Sequence, residues 1–157
     1  MTSHDATSTG PEVKDIQIDP RGYRFGASVT LVISIIALIL GATTAGWVTM
    51  GVLALLFLPG ATIGPQATLQ ARVFKRFIRP RIGAPTETES FRPPRFAQQM
   101  GLGFSLLAVL FGVLDVAAGF YIFTGFVVIA SFLNSVFGFC LGCEIYLLFK
   151  RATTRAA

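Results

Sequence analysis

Two cysteines stand three positions apart, Cys140 and Cys143, with Glu144 directly after the second. A C-x-x-C pair can cycle between dithiol and disulfide, relay a sulfur atom as a persulfide, or give two thiolates to a metal. A neutral carboxyl beside it can shuttle a proton to or from sulfur. Cysteine is also a small apolar side chain suited to helix packing, so a structural role stands beside the chemical ones. A metal site needs further ligands, and the only histidine, His4, is near the N-terminus. We therefore assign no metal site and no cofactor-binding site from sequence. Cys140, Cys143 and Glu144 are the candidate catalytic residues.

These residues lie in an apolar run from Gly119 to Phe149. The 157-residue chain is 53% hydrophobic and 13% charged, against about 25% charged in ordinary soluble domains. A soluble domain of this size has too little interior for so much apolar surface. The formal net charge of +5 borders the apolar runs, where lipid headgroups meet it, and is not interleaved with stacking aromatics. A lipid bilayer is thus the expected partner and nucleic acid is not. No cleavable signal peptide is read before the first apolar run, and two cysteines exclude a disulfide-stapled scaffold. No nucleotide-binding glycine loop and no serine-nucleophile arrangement is found.

The stretch Phe25 to Ala71 carries no charge and suits two spans of about 20 residues each. The first is expected over about Phe25 to Leu40 and the second over about Trp47 to Ile63, reversing at Gly41 to Gly46. Ala67 to Arg79 mixes Leu69, Val73, Phe77 and Ile78 with Arg72, Lys75, Arg76 and Arg79 at helical spacing. That reads as a basic amphipathic surface helix, ended by Pro80. The third span is expected over about Phe96 to Ala118 and the fourth over about Phe120 to Phe149, with Gly119 as the reversal. The fold class is all-α integral membrane: four transmembrane helices plus the surface helix between the second and third.

Basic residues cluster in the middle loop (Arg72, Lys75, Arg76, Arg79, Arg81, Arg92, Arg95) and in both tails, and the tight reversals have none. By the positive-inside rule both termini and that loop face the cytoplasm of a multi-pass plasma-membrane protein. Residues 1–19 read as a disordered cytoplasmic tail, 20–151 as the four-helix domain and 152–157 as a second tail.

On one continuous fourth helix, Cys140 and Cys143 share a face. Counted back from Lys150, they lie about 15 and 10 Å into the cytoplasmic half of the membrane. Gly138 and Gly142 permit close approach of another backbone, or loosen the helix around the thiols. Asp115 is a further candidate as an intramembrane acid, and its place near the turn suits an interfacial one. Asn134 and Ser135 suit hydrogen bonds between helices. Arg95 or Arg72 is an expected ion-pair partner for Glu144.

Four segments carry a family resemblance: Asp19-Pro20-Arg21, Arg79-Pro80-Arg81-Ile82-Gly83, Pro93-Pro94-Arg95-Phe96-Ala97-Gln98, and Leu133 to Cys143 with its Phe-Gly-Phe-Cys-Leu-Gly-Cys core. Together they resemble domain of unknown function family 4395, four-span bacterial membrane proteins frequent in actinobacteria, over about residues 17 to 150. The family has no assigned activity. The resemblance implies Cys140 and Cys143 as the functional pair and, by gene neighbourhood, a thioredoxin-like or rhodanese-type protein as partner in thiol or sulfur metabolism. The leading function is thiol/disulfide or sulfur-transfer chemistry, with a membrane quinone as one electron partner. The other readings are a non-catalytic scaffold subunit of a membrane complex, as homo-oligomer or larger assembly, and a carrier for a small sulfur species.

Overall fold

The structure is a computed structural model that describes residues 15–156. Its elements in chain order are β1 (Gln17–Ile18), α1 (Pro20–Leu40), α2 (Thr44–Thr62), a 3-10 turn (Pro65–Ala67), α3 (Leu69–Val73), a π-helical turn (Phe74–Ile78), α4 (Arg79–Ile82), β2 (Glu89–Ser90), α5 (Arg92–Val113), α6 (Ala117–Phe137) and α7 (Leu141–Arg155). Four of them, α1, α2, α5 and α6, are long and apolar enough to cross a membrane. They pack α1 on α2, α2 on α5, α5 on α6 and α6 back on α1, closing a ring. The chain is an all-α, multi-pass membrane protein.

The burial pattern follows from a lipid surround. Outward positions such as Val32, Ile39, Leu55, Leu106 and Ile122 are exposed, while Ser34, Ser105 and Thr124 are wholly buried beside Ala37, Met50, Leu53, Ala108 and Phe120. Lipid tails give no driving force to hide leucine, so small and hydroxylated residues take the helix contacts. Some hydroxyls return to their own helix, as Ser131 Oγ donates to the Val127 carbonyl at 2.6 Å, and Ser28 and Ser135 bond between helices at 2.7 Å, while Ser105 Oγ and Thr124 Oγ1 are buried without a partner among the described residues.

Helix ends explain several shifts from the expected boundaries. Asp19 caps α1, accepting from the Arg21 backbone N–H at 3.0 Å, and Pro20 fills the first helical position, so α1 starts before Phe25. Thr43 caps α2 in the same way, accepting from the Gly46 N–H at 3.3 Å. The third span runs Arg92–Val113 rather than Phe96 to Ala118, since its prolines occupy the first turn where no N–H partner is needed. Its reversal is Leu114-Asp115-Val116, not Gly119. Asp115 there takes φ 56°, which a short polar side chain tolerates, and Val116 N–H donates to the Phe111 carbonyl at 2.9 Å.

The surface helix is present but does not stop at Pro80. It continues through α4 to Gly83 (φ 79°). The proline is accommodated by the wide turn before it, in which the Arg79 N–H reaches Phe74 O. Phe74 is buried against Phe25 of α1, ring centroids 6.0 Å apart, whereas Arg72, Lys75, Arg76 and Arg81 face outward.

The expected tail 1–19 lies outside the described residues as far as residue 14. From Asp15 the chain is anchored: β1 pairs antiparallel with β2, Gln17 opposite Ser90 and Ile18 opposite Glu89. At the other end, α7 is helical through Arg155, with 152–156 exposed.

Candidate functional site

The largest departure from the sequence reading falls at the cysteines. The expected fourth span, continuous to Phe149, breaks after Phe137. Gly138 ends α6 in the left-handed region (φ 66°), with its N–H on the Asn134 carbonyl at 3.1 Å and the Phe139 N–H on the Leu133 carbonyl at 3.2 Å. Glycine adopts that conformation without the Cβ penalty. Cys140 then takes an extended conformation (φ −84°, ψ 101°) as the N-cap of α7. Its Sγ accepts the Cys143 backbone N–H at 3.4 Å. The helix turns because Gly142 must lie against α5: a Cβ there would stand 2.7 Å from Ala97 Cα. Phe96 and Tyr146, ring centroids 5.8 Å apart, continue the contact.

Cys140 and Cys143 are therefore not two thiols on one mid-span helical face. They form a disulfide, Cα atoms 5.1 Å apart, at the N-terminus of an amphipathic end helix. Cys140 is buried at 9% exposure and Cys143 is half-buried. A thiolate at Cys140 would keep the Cys143 N–H and the positive end of α7, both favouring the charged sulfur. The site sits at the basic end of the bundle, where the Arg24 guanidinium lies beside Gly138.

Cys140 also closes one wall of a cavity of about 320 Å³ enclosed by α1, α2, α5, α6 and the start of α7. The lining is mostly apolar, with Phe57, Phe104 and Val127, and takes few polar groups, Gln98, Ser131 and Asn134 among them. Asn134 Oδ1 is buried without a hydrogen-bond partner among the described residues.

The other candidates separate. Glu144 is in the first turn of α7 but exposed, and forms no ion pair with Arg95 or Arg72. The ion pairs among the described residues are Arg21 with Asp19 at 3.0 Å and Arg92 with Asp15 at 3.8 Å. Arg95 is instead spent on the end of α2, donating to the carbonyls of Ala61 at 3.3 Å and Thr62 at 2.7 Å. Those carbonyls have no intrahelical donor, which is why a guanidinium fits there. Asp115 is exposed in the reversal at the opposite end of the bundle from the disulfide. Ser135 makes the interhelical bond expected of it, while Asn134 faces the cavity. Gln98 escaped notice as a site residue, although an amide in an apolar helix just past its prolines was a visible signal. Among the described residues, no three His, Cys, Asp or Glu side chains gather as metal ligands.

A family model described as Domain of unknown function (DUF4395) matches residues 18–151. The chain belongs to that family. The matched stretch holds the four spans, the surface helix, the break at Gly138 and the C-x-x-C, so the family covers the site as well as the bundle. No curated protein and no solved structure matches the chain.

Proposed function

We propose that Cys140 and Cys143 are a reversible dithiol/disulfide pair that exchanges with a protein dithiol at the basic end of the bundle, in the plasma membrane with that end toward the cytoplasm. The observation that carries this is the disulfide at the α7 N-terminus, with Cys140 buried and Cys143 only half-buried. Access assigns the steps. A partner thiolate attacks Cys143 Sγ, the S–S bond breaks, and Cys140 leaves as a thiolate held by the Cys143 N–H. The partner's second thiol then displaces Cys143. The partner dithiol becomes a disulfide and this protein keeps two thiols. Glu144, exposed one residue beyond Cys143, is available to receive the proton released there. A thioredoxin-like domain, with two thiols of its own, has the chemistry this calls for.

Alkylation of the two thiols in isolated membranes, with and without prior reduction, tests the reading. Both should resist alkylation until reductant is added. Cys140→Ser, which leaves Cys143 without its resolving thiol, should accumulate a mixed disulfide with an oxidised thioredoxin-type protein. Thiols that are fully alkylated without reductant, with no mixed disulfide in the variant, would leave the cysteines as packing residues of a scaffold.

A further inference from the structure

We propose that the cavity beside Cys140 is a binding site for the ring of a membrane quinone, which reoxidises the Cys140–Cys143 dithiol. This rests on the exchange reaction above and adds its terminal electron acceptor.

Three observations converge. First, the cavity of about 320 Å³ has no charged residue in its lining. That disfavours an ionic or strongly hydrated occupant. Second, Phe126 and Ile129 on its rim are 47% and 56% exposed on the lipid-facing side of α6, so an occupant enters from the bilayer. Third, the polar groups are few, and one of them, Asn134 Oδ1, is buried and unpartnered among the described residues, in a cavity that Cys140 also lines. A lone buried acceptor calls for a ligand donor. An acyl chain offers none. A quinone offers a planar apolar body with oxygens at its edge, and its reduced form carries O–H groups.

The asparagine amide suits both redox states. Its NH2 donates to a quinone carbonyl, and its carbonyl accepts from a quinol hydroxyl. Ring and Cys140 then share the one cavity. The reaction balances: two S–H bonds break, one S–S bond forms, and two electrons and two protons pass to the two ring oxygens, giving quinol and the disulfide. Cys140, the buried sulfur, faces the ring, while Cys143 faces the protein partner. The two substrates therefore approach the one disulfide from different sides.

The test uses the full chain in lipid nanodiscs, reduced, freed of reductant and kept anaerobic. The probe is decylubiquinone, whose ring is fully substituted and so does not form thioether adducts readily. Wild type should bleach one quinone per disulfide formed. Asn134→Leu, which removes both hydrogen-bonding groups at similar size, should slow this step about tenfold, the cost of one hydrogen bond. Ala130→Phe should slow it by filling the cavity. Both variants should exchange with a thioredoxin-type dithiol at the wild-type rate, which also shows that they fold. Quinone reduction that is absent in wild type, or unchanged in both variants while exchange proceeds, overturns this proposal alone. Absence of exchange in wild type overturns both.

Discussion

The half-buried Cys143 and the buried Cys140 differ in what each substitution should do. Cys143→Ser leaves the cavity-facing thiol without a surface partner, so exchange with a protein dithiol should be lost. Cys140→Ser should instead trap that partner. Gly138 sets up this asymmetry. At φ 66°, Gly138→Ala should cost about 1–2 kcal/mol through the left-handed conformation alone, and a thermal melt in detergent would register it. Hydropathy cannot reveal such a position, because Gly138 sits amid residues as apolar as those of a span. Its glycine identity was readable, but not the sign of its φ. Cysteine is also not among the usual N-cap residues, so nothing in the pattern announced Cys140 as one. At the start of the first span the signal was better: Asp-Pro-Arg is a strong capping sequence. The Asp19 carboxyl is partly buried, which raises its pKa, but hydrogen bonds and charge from Arg21, and charge from Arg79, outweigh that and hold it below the usual carboxylate range. With the folded value below the unfolded one, its contribution is complete above about pH 4 and is lost as pH falls through the folded value. Asp19→Asn should therefore lower the melting temperature at neutral pH and flatten its decline on acidification. Equal acid slopes for the two proteins would show that Asp19 contributes nothing to that decline.

At the scale of elements, the four spans were legible because each apolar run is bounded by prolines, glycines or arginines. What hydropathy merged was the fourth span and α7. Length should have separated them, since Phe120 to Phe149 is longer than a bilayer core of about 30 Å requires. The reason for the break lies on another element: Gly142 fits the first turns of α5 only if the chain turns. Packing between distant segments is not visible in a local pattern. The same contact gives an element-scale prediction. Gly142→Val places a branched side chain where backbone atoms of Ala97 already stand, so α7 should lift from α5 while the four spans persist. Circular dichroism should remain helical. In the unreduced protein, trypsin should cut after Lys150 or Arg151 faster than in wild type. An unchanged cleavage rate would mean that Ala97 does not hold α7. Arg95→Gln should act at the neighbouring seam, leaving the α2 carbonyls of Ala61 and Thr62 with a weaker cap and costing about 1 kcal/mol.

The whole molecule repeats one plan. Each half is a membrane hairpin that starts and ends at the basic end, followed by a helix lying back on the first span of its own half: α3 on α1, and α7 on α5. The caps correspond too. Thr68 Oγ1 accepts the Ala71 N–H at 3.1 Å, as Cys140 Sγ accepts that of Cys143 at 3.4 Å. No residue-level repeat marks this in the sequence, because lipid-facing positions need only be apolar and small packing residues are interchangeable. In this arrangement the disulfide occupies the place that Thr68 and Ala71 hold in the other half. Both hairpins then have the same orientation, and all the basic segments lie on one side. Arg72, Arg76 and Arg81 face outward at that end, where anionic lipids of a cytoplasmic leaflet would hold them. Single cysteines test the orientation in a background with Cys140→Ser and Cys143→Ser. Thr88→Cys, in the loop before β2, should be shielded from a membrane-impermeant maleimide in intact cells and labelled after lysis. Ala117→Cys, exposed at the start of α6, should be labelled in both. The opposite pattern would put the disulfide on the outer face. Its thiol partner would then have to be an extracytoplasmic one, and the basic end would have lost its reason for being basic.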